Sequence, residues 1–85
     1  MVLPLIYTET HNGTSKNIIG AKIRNLRLNL NLTQKELAEK LQLEGHEFSD
    51  LTILRIEQGS RFVPDYEVVI LANFFGVSTD ELLKQ

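Results

Sequence analysis

The chain has no cysteine and no tryptophan, and only two prolines. Without thiols there is no disulfide, no thiolate nucleophile and no cysteine-bound zinc, a pattern that agrees with a cytoplasmic setting. Long apolar runs are also lacking; none approaches the ~18 residues that span a bilayer. Met1 to Tyr7 is a short apolar stretch with no basic leader, so neither a membrane partner nor a secretory signal is expected. Positive charge is scarce too. Nine Lys and Arg stand against eleven Asp and Glu, a net of −2, whereas nucleic-acid binders are usually basic. There is no glycine-rich phosphate loop and no serine–histidine–aspartate set. Glu36 and Glu39, like Asp80 and Glu81, read as helix-start and surface charges. His11 and His46 have neither the spacing nor the partners of metal ligands. The expectation is a non-enzyme with no catalytic residue, no cofactor, no metal and no small-molecule ligand.

What is present suits one small domain. Eighty-five residues with 42% hydrophobic content bury a modest core. The charges are unevenly placed. Residues 17–62 carry seven basic against six acidic side chains, while residues 63–85 carry one against four. Acid is therefore concentrated at the C-terminal end, and only the local field at a contact surface steers a charged partner.

Residues 1–16 have no helical period. Val2 to Tyr7 is β-prone but interrupted by Pro4, and His11 to Thr14 signals a turn. An irregular or strand-like N-terminal arm is expected over 1–16, ahead of a domain over 17–85. In that domain Ile19, Ile23, Leu26 and Leu30 form one apolar stripe and predict a first helix from near Ile18 to Asn29. Three later helix starts share one design: an apolar residue, a Ser or Thr, then an apolar residue four positions past the cap. They are Leu32-Thr33…Leu37, Phe48-Ser49…Ile53 and Val77-Ser78…Leu82, each an N-cap with a hydrophobic staple. Glu36 and Glu81, three residues past their caps, predict capping boxes. The second helix then spans about Gln34 to Gln42, and the third Asp50 to Gln58 with Gly59 closing it. The fourth follows Pro64-Asp65, with Val68, Val69, Leu71, Ala72 and Phe75 inward. The fifth covers Thr79 to Lys84. Five short helices give an all-α domain.

Four segments in order, IGAKIRNLR (19–27), LTQKELAEKL (32–41), LTILRIEQG (51–59) and LANFFGVSTDEL (71–82), resemble the lambda-repressor and Cro-like helix-turn-helix family, also called the XRE family. The resemblance covers roughly residues 18–83. It implies a five-helix lambda-repressor-like DNA-binding domain whose third helix reads bases. Gln34 matches the glutamine that, with the helix N-terminus, touches a phosphate, and exposed N–H groups there suit an anion. Lys35 adds a second such contact. Base-reading positions fall on Asp50, Leu51, Thr52 and Arg55, with Ser49 and Gln58 flanking toward phosphates. Arg55 has the donors to fork onto guanine O6 and N7. Asp50 either accepts from cytosine N4 or complements the helix dipole. Leu51 either meets a thymine methyl or joins the core. Arg61 falls in a loop that contacts the DNA backbone in the family, or is a solvated charge. Arg27 and Glu57 match an inward ion pair joining the first helix to the end of the third. One feature departs from the ordinary pattern: the turn Leu43 to Phe48 is longer than the usual three or four residues. Some family members look similar there, and Gly45 permits the left-handed residue such a turn needs.

The resemblance implies a sequence-specific transcriptional regulator of the repressor kind that binds double-stranded DNA as a homodimer. The dimer surface would come from the fifth helix around Leu82 and Leu83 or from Val2 to Tyr7, unless the fifth helix is buried within the subunit. The alternative is a protein-interaction or antitoxin-like module on the same scaffold, favoured by the acidic balance and Asp50.

Overall fold

The structure is a computed structural model, and it describes residues 15–85. The first fourteen residues, which carry most of the expected arm and the Val2–Tyr7 dimer surface, lie outside the described residues. The described chain forms five helices: α1 Gly20–Asn29, α2 Gln34–Leu43, α3 Asp50–Gln58, α4 Asp65–Phe75 and α5 Thr79–Leu83. None is long and apolar enough to cross a membrane.

The helix starts follow the hydroxyl caps. Thr33 Oγ1 accepts from Glu36 N–H at 3.0 Å, and the Glu36 carboxylate accepts from Thr33 N–H at 2.8 Å, a complete capping box. Ser49 Oγ accepts from Thr52 N–H at 3.1 Å, and Ser78 Oγ from Glu81 N–H at 3.0 Å. Glu81 makes no return bond to Ser78, so the second expected box is a single cap.

The helix ends share one device. In each of α1 to α4 the chain turns left-handed two residues past the last helical one or directly after it, at Asn31, Gly45, Gly59 and Gly76, with φ between 58° and 91°. The next N–H then returns to a carbonyl in the last turn: Leu32 to Arg27, His46 to Leu41, Ser60 to Arg55 and Val77 to Ala72. These paired bonds are Schellman motifs, which satisfy carbonyls that would otherwise lack a partner. Asn is one of the few L-residues that tolerates that conformation.

This geometry corrects two expected core positions. Leu30 follows the last residue of α1 and is 53% exposed rather than the end of the apolar stripe. Val69 is 47% exposed, because Val68, Leu71 and Ala72 define the buried face of α4 and Val69 lies beside it. The helix bounds also shift slightly: α1 begins at Gly20, α2 reaches Leu43 and α5 ends at Leu83.

The core gathers Ile19 and Ile23 of the first segment, Leu37, Ala38 and Leu41 of α2, Phe48, Ile53 and Ile56 around α3, Val68, Leu71 and Ala72 of α4, and Leu82 of α5. Leu82 is fully buried, so α5 is packed within the subunit through it and Leu82 does not belong to an open dimer surface; Leu83 is half-exposed. Lys22 reinforces this docking by donating to the carbonyls of Glu81 (2.8 Å) and Lys84 at the end of α5.

The contact of α1 with α3 is close enough to require a residue without a side chain. A Cβ on Gly20 would overlap the Ile56 carbonyl oxygen and sit 3.1 Å from that of Glu57, both backbone atoms that cannot rotate away. Gly20→Ala is expected to lose about 1–3 kcal/mol of stability by overpacking, despite the better helix propensity of alanine. Urea denaturation measures it, and an unchanged or raised midpoint would show that α1 can lift from α3 freely.

Candidate nucleic-acid interface

The second and third helices form a helix–turn–helix pair with a lengthened connection, Glu44 to Ser49. The connection is pinned at both ends. The Schellman bonds of α2 hold Gly45 and His46, and Gln42 Nε2 donates to the Phe48 carbonyl at 2.6 Å. Phe48 is 3% exposed and joins Ile53 in the core. The extra residues therefore bulge outward without loosening α3. Glu44 and Glu47 are exposed on this bulge, and His46 is half-buried.

The seat of α3 is fixed by the Arg27–Glu57 pair. Arg27 Nε donates to Glu57 Oε2 at 2.6 Å, and Nη2 to Oε1 at 2.9 Å. Only 9% of the Arg27 side chain and 3% of that of Glu57 remain exposed. Arg27 Nη1 also donates to the Leu32 carbonyl at 2.8 Å, and Gln34 Nε2 donates to Glu57 Oε1 at 3.1 Å. The bond to Glu57 raises the Arg27 pKa above its ordinary value, burial opposes this, and the carboxylate charge adds to it. The guanidinium is charged at every accessible pH.

Apart from the buried pair, the residues singled out from the sequence fall into two groups. Lys35, Ser49, Asp50, Leu51, Arg55 and Gln58 are exposed, and Thr52 is half-buried beside them. Of the two readings of Leu51, the structure has it outside, 46% exposed. Arg55 makes no ion pair among the described residues. Asp50 Oδ1 accepts from Leu51 N–H at 2.9 Å, so its carboxylate complements the start of α3. Ser49 Oγ and Thr52 Oγ1 lie 3.0 Å apart and share a hydrogen bond.

Two residues are placed differently from a free contact surface. Gln34 is half-buried and its amide nitrogen turns toward Glu57, which leaves the backbone N–H groups of Gln34 and Lys35, without intrahelical acceptors, at the opening of α2. Arg61 is neither solvated nor free. Its Nη1 and Nη2 donate to Glu67 at 2.6 and 3.1 Å, and Nη1 also to the Phe62 carbonyl at 3.1 Å. Glu67 is 7% exposed, so this pair clips the α3–α4 loop onto α4. Its bond to Glu67 raises the Arg61 pKa against an opposing effect of burial. Arg61 thus supplies less free positive charge to a ligand than its sequence position suggested.

Sequence reasoning missed Glu67 and Asn17. The Arg61–Glu67 spacing crosses Pro64 and matches no helical period, so it carries no signal. Asn17 does carry one: it is a capping residue type just ahead of an apolar run. Its Oδ1 accepts from Ile19 and Gly20 N–H at 3.1 and 2.9 Å. Among the described residues, no group of three or more His, Cys, Asp or Glu comes together as a metal site.

Five short helices, with α2 and α3 joined as described and an inward Arg–Glu pair locking the second of them, define a helix-turn-helix domain. The family model of the helix-turn-helix domain matches residues 20–85, and the chain belongs to that family, in its lambda-repressor-like, XRE-type form. Among solved structures, the crystal structure of the DNA-binding domain of BldD is similar, with 29% identity and a TM-score of 0.69. The match covers 85% of this chain and 97% of that one. No curated protein matches the chain.

Removing one partner of the buried pair leaves the other without compensation. Glu57→Ala is expected to cost roughly 3 kcal/mol, seen as a lowered melting temperature in calorimetry. A melting temperature equal to that of the parent would mean that Arg27 finds water in the mutant and the pair is not buried in solution.

Proposed function

We propose that the chain is a sequence-specific DNA-binding transcriptional regulator of the repressor kind, not an enzyme, acting in the cytoplasm on double-stranded DNA. The observation that carries this reading is the exposed row Ser49, Asp50, Leu51 and Arg55, with Thr52 half-buried beside it, on a helix whose inner face and last turn are locked into the core. A rigid helix with a free polar face suits the major groove, which admits an α-helix. The similarity to the DNA-binding domain of BldD supports the same reading.

Arg55 forks onto guanine O6 and N7, and Leu51 meets a thymine methyl. Lys35 and the opening N–H groups of α2 bind one phosphate, with Gln34 oriented by Glu57. Thr52 faces a base edge beside Leu51, and Ser49 and Gln58 flank toward phosphates. Asp50 acts mainly on its own helix start. Arg61, through its pair with Glu67, orders the loop near the backbone. Residues 17–85 form the DNA-binding domain and residues 1–16 an arm. The protein binds as a symmetric homodimer, with two copies of α3 in successive major grooves about 34 Å apart.

A second reading, a protein-interaction module, is favoured by the acidic rim of Glu44, Glu47 and Asp50 and by Leu43, which is 88% exposed. Salt separates the two. Selection of bound duplexes from a random pool should return one motif, with affinity falling steeply as salt rises through counterion release. Lys35→Ala should then weaken all duplexes alike and reduce the salt slope by about 1. Arg55→Ala should cost about 1–3 kcal/mol on the selected motif and relax one base position. Failure to retain any duplex at low salt would favour the interaction module.

A further inference from the structure

The carboxamide of Asn17 is used at both ends. Besides capping α1 through Oδ1, it donates from Nδ2 to the Ile56 carbonyl at 3.1 Å and to the Arg61 carbonyl at 2.9 Å. These acceptors lie 39 and 44 residues away in sequence. One side chain therefore joins the start of α1, the last turn of α3 and the loop after it. The backbone around it follows the same path. Lys16 N–H donates to the Gly59 carbonyl at 2.7 Å, and Gly20 leaves room for the Ile56 carbonyl.

We propose that Asn17 is a positioning residue for DNA recognition: its amide sets the angle and distance of α3 against α1, and so the direction in which Arg55 is presented. The proposal rests on α3 reading DNA. The Arg27–Glu57 pair holds the same helix through a side chain. Asn17 instead holds backbone carbonyls, that of Ile56 on the turn that carries Arg55 and that of Arg61 in the loop after it, so a change there tilts α3 without exposing a buried charge.

Two substitutions isolate the effect. Asn17→Asp keeps an acceptor for the N–H groups of α1 but turns an oxygen toward two carbonyls, which repel it. Asn17→Ser keeps a capping hydroxyl, adds no charge and lacks the donors. Residual dipolar couplings on the labelled chain report the α1–α3 angle, and competition binding reports affinity for the selected duplex. In both variants the angle should change while all five helices persist. Affinity for the selected duplex should fall about tenfold, near the low end for loss of one paired base contact. Affinity of Asn17→Ser for random duplex should stay within about twofold, because its phosphate-facing charges are untouched. An unchanged angle in both variants overturns the proposal, and so does a changed angle with full affinity for the selected duplex. If the parent chain binds no duplex, the DNA reading is what fails. The couplings then still decide whether Asn17 sets the angle, and an unchanged angle overturns that as well.

Discussion

One carboxylate in the last turn of α3 holds three parts of the domain in register. Glu57 takes two bonds from Arg27 of α1 and a third from Gln34 at the start of α2, while Arg27 also reaches the Leu32 carbonyl between those helices. Two ions taken out of water do not stabilise a fold merely by meeting, since desolvation offsets much of their attraction. The arrangement instead gives specificity of placement. A greasy pair at the same positions would fill the volume but would tolerate sliding. A forked, two-bond pair accepts a narrow range of geometry. It leaves the opposite face of α3 free, and that face carries every residue assigned to bases.

The pair does not act alone. Gly20 lets α1 approach the backbone of α3, and Asn17 grips the carbonyl of Ile56 from the same side. Phe48 seats the other end of α3 and absorbs the long turn before it. Helix α3 is thus fixed at both ends by contacts with little freedom, although it is only nine residues long. Short helices are marginal in isolation, so a rigid surface of this length depends on such anchors. Arg27 and Arg61 are both committed to internal carboxylates, so their charges serve the fold.

Much of the fold was legible because its signals are local. Thr33, Ser49 and Ser78 mark helix starts through bonds to N–H groups three residues on, and Gly59 and Gly76 mark ends through one left-handed residue. Asn31 ends α1 by the same device, but asparagine is a weaker signal than glycine, and this is why Leu30 was expected to continue the stripe. Val69 shows the limit of apolar patterning in a short helix, where one extra valine sits at the margin of the buried face. The Arg27–Glu57 pair was visible only through family resemblance, since no spacing rule links residues thirty apart. The Arg61–Glu67 clip and the double role of Asn17 depend on how irregular connections fold back, and neither period nor composition records that.

In the proposed mode of binding, α3 and the opening of α2 form one DNA-contacting surface. An NMR titration of the labelled chain with a duplex recovered from random selection tests this directly. The largest amide shifts should fall at Gln34, Lys35 and residues 49–55, with the side-chain signal of Arg55 among the most affected. Shifts confined to the exposed apolar residues Leu28, Leu30 and Leu43, with residues 49–55 unmoved, would contradict it.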